Sequence, residues 1–197
     1  TAMETSESMP LQTFPRRLLA HSQQRGARPA FREKYLGIWQ EWSWLQVNAE
    51  VRALACGLAA LGFQRGMNLA IIGDNRPRLY WAMLAAQCLG GVPVPLYQDA
   101  PSADMAHVLN DADIEFAVVE DQEQVDKLLE LHALCPRVRQ IVFEDARGMR
   151  HYQHAGLLSF AALQELGREW DAAHPGAFDA AIEAGQGSDT AIILYTS

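Results

Sequence analysis

Cysteine is scarce in this sequence, and the three that occur are far apart. They are Cys56, Cys88 and Cys135, and no two of them form a CxxC pair. An odd number of cysteines at such wide spacings indicates neither a disulfide scaffold nor a zinc knuckle. Each cysteine lies in an apolar stretch typical of a helix. We therefore expect three buried, reduced thiols, as in a cytoplasmic protein.

Basic residues are too few for a nucleic-acid interface. The sequence has 16 lysines and arginines against 24 aspartates and glutamates, which gives a net charge of −8. A protein that binds nucleic acid presents a basic face, so we predict no nucleic-acid partner. Nor does a cluster of lysines and arginines mark a membrane-surface anchor. The first ten residues lack the basic and apolar regions of a signal peptide, and we predict a cytoplasmic location.

Long uninterrupted apolar runs are also missing. The uncharged stretch Leu79–Tyr97 has about the length of a membrane-spanning helix. However, Gly90 and Gly91 interrupt it, and Pro93 and Pro95 would break a helix again. We expect a helix, a tight turn and a strand whose prolines favour edge-like pairing. The sequence therefore predicts no transmembrane span.

Several motifs of catalytic and binding sites are absent. No GxGxxG follows a strand, and no GxSxG occurs. These absences argue against a dinucleotide-binding Rossmann fold and against the nucleophile elbow of an α/β-hydrolase. His151 and His154 have a spacing that metal ligands can have, but a zinc site needs three or four protein ligands. No carboxylate or cysteine adjoins the two histidines, so we predict no metal site.

Two further groups of residues have both a structural and a functional interpretation. The acidic run Glu120–Glu123 could serve acid–base chemistry, but it precedes a predicted helix, whose dipole favours negative charge at its N-terminus. Trp39, Trp42 and Trp44 could stack on a ligand. Aromatic residues in a hairpin more often pack against the neighbouring helix, and that is our prediction. Neither group yields a catalytic residue.

The sequence does contain a regular alternation of strand and helix signals. Residues 29–44 are typical of a hairpin that turns near Leu36-Gly37. Strand signals follow at residues 67–73, 92–96, 114–120 and 139–144. Helix starts lie between and after them, at Ser43 (with Gln46 completing a capping box), Asp74 or Asn75, Ser102, Asp121 (with Gln124) and Ser159. This rhythm predicts an α/β fold, a mostly parallel sheet with helices on both faces and an N-terminal β-hairpin.

The last strand signal lies at the end of the chain. Ala191–Tyr195 is short, apolar and rich in β-branched and aromatic residues, which predicts a buried strand. Thr196 and Ser197 follow it directly. Ligands of parallel sheets bind at the carboxyl ends of the strands. The hydroxyl and backbone N–H groups of Thr196 and Ser197 are therefore candidates to donate hydrogen bonds to phosphate oxygens.

Four stretches of the chain, in this order, resemble the adenylate-forming (AMP-binding) enzymes. They read WSWLQVNAEVRALACGLAALGFQRGMNLAI, GDNRPRLYWAMLAAQCLGGVPVPLY, SADMAHVLNDADIEFAVVED and SDTAIILYTS. The last stretch resembles the strand that leads into the family's phosphate loop, a loop rich in Gly, Ser and Thr that ends in Pro-Lys-Gly. The resemblance covers residues 13–197. The elements NRP and VPLY are most similar to those of the long-chain fatty acid–CoA ligases, or acyl-CoA synthetases.

The resemblance implies an ATP-dependent acid–thiol ligase. Such an enzyme converts a fatty acid and ATP to an acyl-adenylate and pyrophosphate, then transfers the acyl group to coenzyme A and releases AMP. Residues 1–12 would be a disordered or tag-derived tail, and residues 13–197 the N-terminal portion of the AMP-binding large domain, truncated at the start of the phosphate loop. ATP, Mg²⁺ and coenzyme A are the implied cofactors. Thr196 and Ser197 are the implied cofactor-binding residues, and this part of the enzyme is expected to be inactive by itself.

The implied partners are a fatty acid, ATP and coenzyme A, and a homodimer or a peripheral membrane contact is compatible with the resemblance. Two alternatives stay open. One is another adenylate-forming enzyme, such as an aryl or medium-chain acyl-CoA ligase or an acyl-AMP ligase. The other is a non-catalytic α/β interaction module. A Gly-x-x-Gly-x-Pro-Lys pattern encoded after Ser197 would favour an enzyme over a module.

Overall fold

The computed structural model describes residues 12–196, and helices alternate with strands along this range. The helices are α1 (Phe14–Arg25), α2 (Trp44–Ala60), α3 (Pro77–Cys88), α4 (Ser102–Asp111), α5 (Gln122–Glu130), α6 (Phe160–Ala173) and α7 (Ala177–Glu183). The strands are β1 (Pro29–Tyr35), β2 (Ile38–Ser43), β3 (Asn68–Ile72), β4 (Val92–Leu96), β5 (Phe116–Val119), β6 (Gln140–Phe143) and β7 (Leu157–Ser159). Two short 3-10 helices occupy Leu131–Ala133 and Met149–His151.

Strands β3 to β7 form one parallel sheet of five strands in the order β4-β3-β5-β6-β7. Strands β1 and β2 form a separate antiparallel hairpin. The predicted α/β fold, with its parallel sheet and N-terminal hairpin, is confirmed. The proline-containing strand β4 lies at an edge of the sheet, as its composition predicted.

Helices cover both faces of the sheet. Successive side chains of a strand point to opposite faces, so the apolar residues of the central strands are buried on both sides. In β3, Leu69 and Ile71 belong to one buried cluster, whereas Ala70 and Ile72 belong to another. The first cluster is completed by side chains of α1, α2, α3, α6 and α7, and the second by side chains of α4 and α5. The near-continuous apolar runs of these strands thus correspond to burial on both faces.

The hairpin and the start of α2 follow local rules. Leu36 and Gly37 both have positive φ, 48° and 83°, as the two central residues of a type I′ turn require. At the start of α2, the Ser43 hydroxyl accepts a hydrogen bond from Gln46 N, and the Gln46 side chain accepts one from Ser43 N. This is the predicted capping box.

Helix α1 and strand β7 were not predicted. Helix α1 begins after Thr13, whose hydroxyl accepts a hydrogen bond from Arg16 N, and it has Pro15 in its first turn. These are helix-start signals, and they lie at the border of what we interpreted as a tail. Strand β7 has three residues, Leu157–Ser159, too few for a periodicity signal.

Two of the predicted helix caps were wrong. Helix α3 begins at Pro77 and has Arg76, not Asp74 or Asn75, at its cap position, without a side-chain cap bond. A residue before proline is driven into extended conformation, and Arg76 has φ −107° and ψ 146°. Similarly, Pro101 takes the cap position of α4, and Ser102 is the first helical residue. In contrast, Asp121 and Ser159 do cap α5 and α6.

The remaining organisational predictions concern membranes, domain limits and thiols. Leu79–Tyr97 folds as the larger part of α3, a turn and β4, and no helix within residues 12–196 is both long and apolar enough to cross a membrane. The division into a tail of residues 1–12 and a domain of residues 13–197 stays a prediction, and residues 1–11 lie outside the described range. All three cysteines are buried and none forms a disulfide bond. Burial raises the pKa of Cys56 to about 12.

Candidate functional site at the carboxyl edge of the sheet

The segment Ala191–Tyr195 runs beside β4 but is not a strand. Its backbone bond to β4 joins Ile193 N to Pro93 O at 3.1 Å, and the Gln87 side chain donates to Ala191 O at 2.6 Å. Gln87 lies just before β4 in the chain, so the segment follows the direction of β4. The prediction that Ala191–Tyr195 forms the last strand is therefore wrong, because this segment is extended but is not a hydrogen-bonded strand.

The prolines of β4 explain the incomplete pairing. Val92 N donates to Met67 O at 2.9 Å, on the β3 side of β4. Because N–H groups alternate in direction along a strand, those of positions 93 and 95 would point to the free edge. Pro93 and Pro95 have no N–H to donate. A neighbouring segment can therefore donate hydrogen bonds to the carbonyl groups of this edge but cannot accept any from it. Half of the backbone hydrogen bonds of a regular strand pair cannot form.

Burial of the segment is also only partial. Ile193 and Tyr195 pack against the second core cluster, while Ile192 and Leu194 are exposed, so the prediction of a buried strand is wrong in this respect too. The Tyr195 hydroxyl donates to an Asp111 carboxylate oxygen at 2.6 Å. This hydrogen bond, together with desolvation, raises the pKa of Tyr195 to about 12.

Thr196 follows this segment and is exposed to solvent. Ser197, the other residue predicted to bind phosphate, lies outside the described residues. Parallel strands present their carboxyl ends at one edge of the sheet, where ligands of such folds bind. The segment approaches that edge because it runs beside β4 in the same direction.

Glu120 organises the loops at the carboxyl ends of β3 and β5. Its two oxygens accept hydrogen bonds from Asp74 N and from Arg76 Nε, each at 2.6 Å, and the residue is 8% exposed. A Cβ at Gly73 would lie 2.6 Å from Glu120 Cβ, so glycine permits this close approach. Both carboxylate oxygens are occupied, and Glu120 fixes the start of α3. This is a structural role within the acidic run.

Arg76 links the same loop to the hairpin. Its Nη1 lies 3.3 Å from a carboxylate oxygen of Glu33 on β1, in addition to the contact with Glu120. Burial by itself lowers the pKa of Arg76, but the neighbouring carboxylates outweigh that effect and the pKa is raised. Arg76 is therefore a permanent cation within a paired network.

A cleft of about 490 Å³ opens between the hairpin and the carboxyl edge. Each arginine that lines it is paired. Arg76 contacts Glu120 and Glu33, Arg78 Nη1 lies 2.5 Å from Glu144 Oε1, and Arg147 lowers the pKa of Asp145 by hydrogen bonding. The charges in the cleft are balanced rather than positive. Thr196 is not among the lining residues, so the structure does not bring the predicted phosphate-binding residue into this cleft.

The other candidate residues have structural surroundings. His151 ends a 3-10 helix, and the rings of His154 and His132 lie edge-on to each other with their centroids 6.0 Å apart. Among residues 12–196, no group of three or more His, Cys, Asp or Glu side chains could hold a metal ion. Trp42 packs edge-on against buried Trp81, with ring centroids 5.4 Å apart, and Trp44 packs against the first core cluster, as predicted for both. Trp39 is exposed, so the packing prediction is wrong for this residue.

Comparison with known protein families gives a match that covers most of the chain. The model of the AMP-binding enzymes, described as "AMP-binding enzyme", matches residues 18–197. Proteins related in sequence include the long-chain-fatty-acid–CoA ligase ACSBG1 of Rattus norvegicus, 25% identical over 159 residues, 81% of this chain and 21% of that protein. The long-chain-fatty-acid–CoA ligase FadD15 of Mycobacterium tuberculosis is 26% identical over 163 residues, 82% of this chain and 25% of that protein. The chain thus spans about a fifth to a quarter of the length of these relatives.

Solved structures share the fold. The N-terminal domain of FACL13 from Mycobacterium tuberculosis superposes with a TM-score of 0.69 at 19% identity, covering 94% of this chain and 41% of that chain. The A-PCP didomain of the carboxylic acid reductase from Segniliparus rugosus, solved in complex with AMP, gives a TM-score of 0.71 at 17% identity, covering 82% of this chain and 27% of that chain. At these identities the likeness concerns the fold alone.

Proposed function

We propose a function from one premise: this chain belongs to the AMP-binding enzyme family. The proposal is that it forms the N-terminal part of an ATP-dependent long-chain fatty acid–CoA ligase. The observation that carries it is the family match over residues 18–197, together with two long-chain-fatty-acid–CoA ligases as relatives at 25–26% identity. Fatty acid, ATP and coenzyme A are the proposed substrates of the parent enzyme, with Mg²⁺ on the triphosphate.

The proposed reaction has two steps. A carboxylate oxygen of the fatty acid attacks the α-phosphorus of ATP, the bond to the β-phosphate breaks, and pyrophosphate leaves. The sulfur of coenzyme A then attacks the acyl carbon, its proton is released, and AMP leaves with the electron pair of the broken acyl–oxygen bond. In both steps negative charge on phosphate oxygens must be stabilised, and positioned hydrogen-bond donors do this well in a site that excludes water.

Thr196 and Ser197 are the proposed phosphate-binding residues of this chain. Thr196 has a hydroxyl and a backbone N–H and is exposed at the end of the segment beside β4. Hydroxyl and successive N–H donors of a loop can surround phosphate oxygens. The backbone hydrogen bond from Ile193 N to Pro93 O attaches the segment to β4 three residues before Thr196. Within the described part of the chain, the other residues of the segment have no backbone hydrogen bond to β4.

The experiment is a substitution in the longer protein that includes this chain. We expect Thr196→Val to reduce ATP-dependent pyrophosphate release by about ten- to a hundredfold with palmitate, because a lost donor to a charged group costs about 1.5–3 kcal/mol. Thr190→Val makes the same chemical change at an exposed position before the segment and should leave the rate unchanged. Equal rates for Thr196→Val and the unchanged enzyme would refute the role of Thr196. Preference for an aryl or medium-chain acid over palmitate would refute the proposed substrate class.

A further inference from the structure

We propose that Tyr195 is a positioning residue for phosphate binding, and that it acts by tethering the chain just before Thr196 to helix α4. The Tyr195 hydroxyl donates a hydrogen bond at 2.6 Å to a carboxylate oxygen of Asp111, the last residue of α4. Tyr195 directly precedes Thr196, so this bond fixes the chain one residue before the proposed phosphate-binding donor. The inference rests on the proposed function, because it has Tyr195 act through Thr196.

The backbone holds the segment Ala191–Tyr195 only weakly, so side-chain bonds matter more than they would in a regular strand. Pro93 and Pro95 deny β4 the donors of a full ladder, and the backbone bond to β4 is the one from Ile193 N to Pro93 O. The Gln87 side chain holds the start of the segment through Ala191 O, at 2.6 Å. The bond to Asp111 therefore holds the end of the segment that adjoins Thr196.

The tether also sets the side of the chain on which Thr196 lies. Ile193 and Tyr195 pack against the second core cluster, whereas Ile192 and Leu194 are 40% and 65% exposed. This alternation is that of an extended chain, in which successive side chains point to opposite sides. With Tyr195 held against the core, Thr196 is turned outward, where it is exposed to solvent. Release of Tyr195 would let the chain rotate, and the Thr196 hydroxyl would lose its fixed direction.

The anchor of the tether is itself held from two directions. Beside Asp111, the Asn110 side chain donates to Leu134 O at 3.1 Å, in the connection that follows α5. The Asn68 side chain on β3 donates to Ala112 O at 2.8 Å. The end of α4 is thus bonded both to the central sheet and to a neighbouring connection. A functional group is positioned precisely when the residues that support it are locked in this way.

The hydroxyl can be removed without removing the ring. Phenylalanine retains the aromatic ring that packs against the core, so Tyr195→Phe deletes the bond to Asp111 and little else. In the longer protein that includes this chain, we expect Tyr195→Phe to lower kcat/KM for ATP in pyrophosphate release by about three- to tenfold, the effect of one hydrogen bond. The KM for palmitate should not change, because the tether acts on the phosphate-binding residue.

Two further variants define the bond. Asp111→Ala should lower kcat/KM for ATP by the same factor as Tyr195→Phe, and the double variant should be no worse than either, since both remove one shared bond. Tyr152→Phe is the matched control. The Tyr152 hydroxyl donates to an Asp126 carboxylate oxygen at 2.5 Å, in the connection between β6 and β7, at the other end of the sheet from β4. Tyr152→Phe should leave kcat/KM for ATP unchanged.

The background of Thr196→Val shows whether Tyr195 acts through Thr196. In that background, Tyr195→Phe should cause no further loss, because the donor that it positions is gone. The same fold-loss in both backgrounds would overturn the inference. If Thr196→Val is impaired but Tyr195→Phe equals the unchanged enzyme, the inference alone fails. If Thr196→Val is unimpaired, the proposed role of Thr196 fails, and the inference fails with it.

Amide hydrogen exchange of the 197-residue chain tests the tether without catalysis. We expect exchange within residues 191–195 to be about three- to tenfold faster in Tyr195→Phe, while exchange in β3 and β5 stays the same, because only the segment is released. Tyr152→Phe should not alter exchange in the segment. Equal exchange of the segment in Tyr195→Phe and in the unchanged chain would overturn the inference, since the hydroxyl would then not hold the segment.

Discussion

At the scale of single residues, two glycines decide how closely α2 and α6 approach. A Cβ on Gly57 would lie 2.3 Å from Leu163 O, and a Cβ on Gly167 would lie 1.8 Å from Ala53 O. Both obstacles are backbone atoms, so a change of rotamer cannot relieve either contact. Beside this crossing, Arg52 Nε on α2 lies 2.6 Å from a carboxylate oxygen of Asp171 on α6. The two helices therefore form one rigid layer over the first core cluster.

We expect Gly167→Ala to destabilise the chain by about 1–3 kcal/mol, the usual cost of overpacking a core. Helix propensity alone favours alanine over glycine by about 1 kcal/mol, so a loss of stability isolates the steric effect. Urea unfolding followed by tryptophan fluorescence measures the change. Glu165→Ala, at an exposed site of the same helix, should change stability by less than about 0.5 kcal/mol. A Gly167→Ala variant as stable as the unchanged chain would contradict the close crossing.

The Tyr195–Asp111 hydrogen bond predicts a pH dependence. The pKa of Tyr195 is raised from 10.0 to about 12, first by the hydrogen bond to Asp111. A pKa that folding raises stabilises the native state below the unfolded pKa, and this contribution disappears as pH rises through the folded pKa. We expect the stability advantage of the unchanged chain over Asp111→Asn to be present at pH 9 and to shrink between pH 10 and 12.

Urea unfolding midpoints of both proteins across this pH range measure that advantage. In a Tyr195→Phe background, Asp111→Asn should produce the same change in midpoint at every pH from 9 to 12, because the titrating hydroxyl is gone. An advantage of the unchanged chain that grows between pH 10 and 12 would contradict the assigned hydrogen bond.

At the scale of secondary-structure elements, β4 decides what lies beside it. Pro93 and Pro95 remove both donors from its free edge, and the segment Ala191–Tyr195 is left with one backbone bond to the strand. Edge prolines of this kind also prevent pairing with other chains. The extended segment is thereby held loosely, next to residues proposed to bind phosphate.

Restoring one donor should tighten the segment. In Pro95→Val, the new N–H would point to the free edge, toward the carbonyl of Ile193 in the register set by the bond from Ile193 N to Pro93 O. We expect amide hydrogen exchange in residues 193–195 to slow by about tenfold, the effect of roughly 1.4 kcal/mol of added local stability. Pro136→Val, in the loop after α5, serves as the matched control. Unchanged exchange in Pro95→Val would show that the prolines do not limit the pairing.

At the scale of the whole molecule, the described residues form a five-stranded sheet with two covered faces and a separate two-stranded hairpin. The matched part of the chain corresponds to 21% and 25% of the length of the two long-chain-fatty-acid–CoA ligases compared above. Adenylation requires a site that binds ATP and the acid together and positions their reacting atoms. We propose that most of that site belongs to the remainder of the parent enzyme. The chain supplies the layer of sheet and helices on which Thr196 is presented.

The 197-residue chain is accordingly expected to lack ligase activity. Incubated with ATP, Mg²⁺, palmitate and coenzyme A, it should release no pyrophosphate above background, and calorimetry should show no saturable ATP binding up to about 1 mM. The longer protein that includes this chain is the positive control in the same assay. Turnover by the 197-residue chain would mean that its own residues complete the site.

The amino-acid sequence by itself determined those features that depend on neighbours a few residues away. Ser43 with Gln46 begins α2 because the cap bonds span three residues, and Leu36-Gly37 turns the hairpin because two consecutive residues accept positive φ. The alternation of strand and helix signals likewise indicated a parallel sheet with helices on both faces. For the candidate site, the sequence located Thr196 and Ser197 in a family motif, and their contact with phosphate stays a prediction.

Tertiary structure alone decided the features that join distant parts of the chain. The strand order pairs residues 16 to 47 positions apart. The contact of Glu120 with Arg76 and the α2–α6 crossing each join residues more than 40 positions apart. The strand signal of Ala191–Tyr195 was sound as a local pattern, and it failed because the neighbouring edge lacks donors at Pro93 and Pro95. A strand needs a partner as well as a suitable sequence, and the partner is set by packing. For this reason local sequence patterns predicted most helices and strands, whereas the tertiary fold determined which of these elements lie side by side.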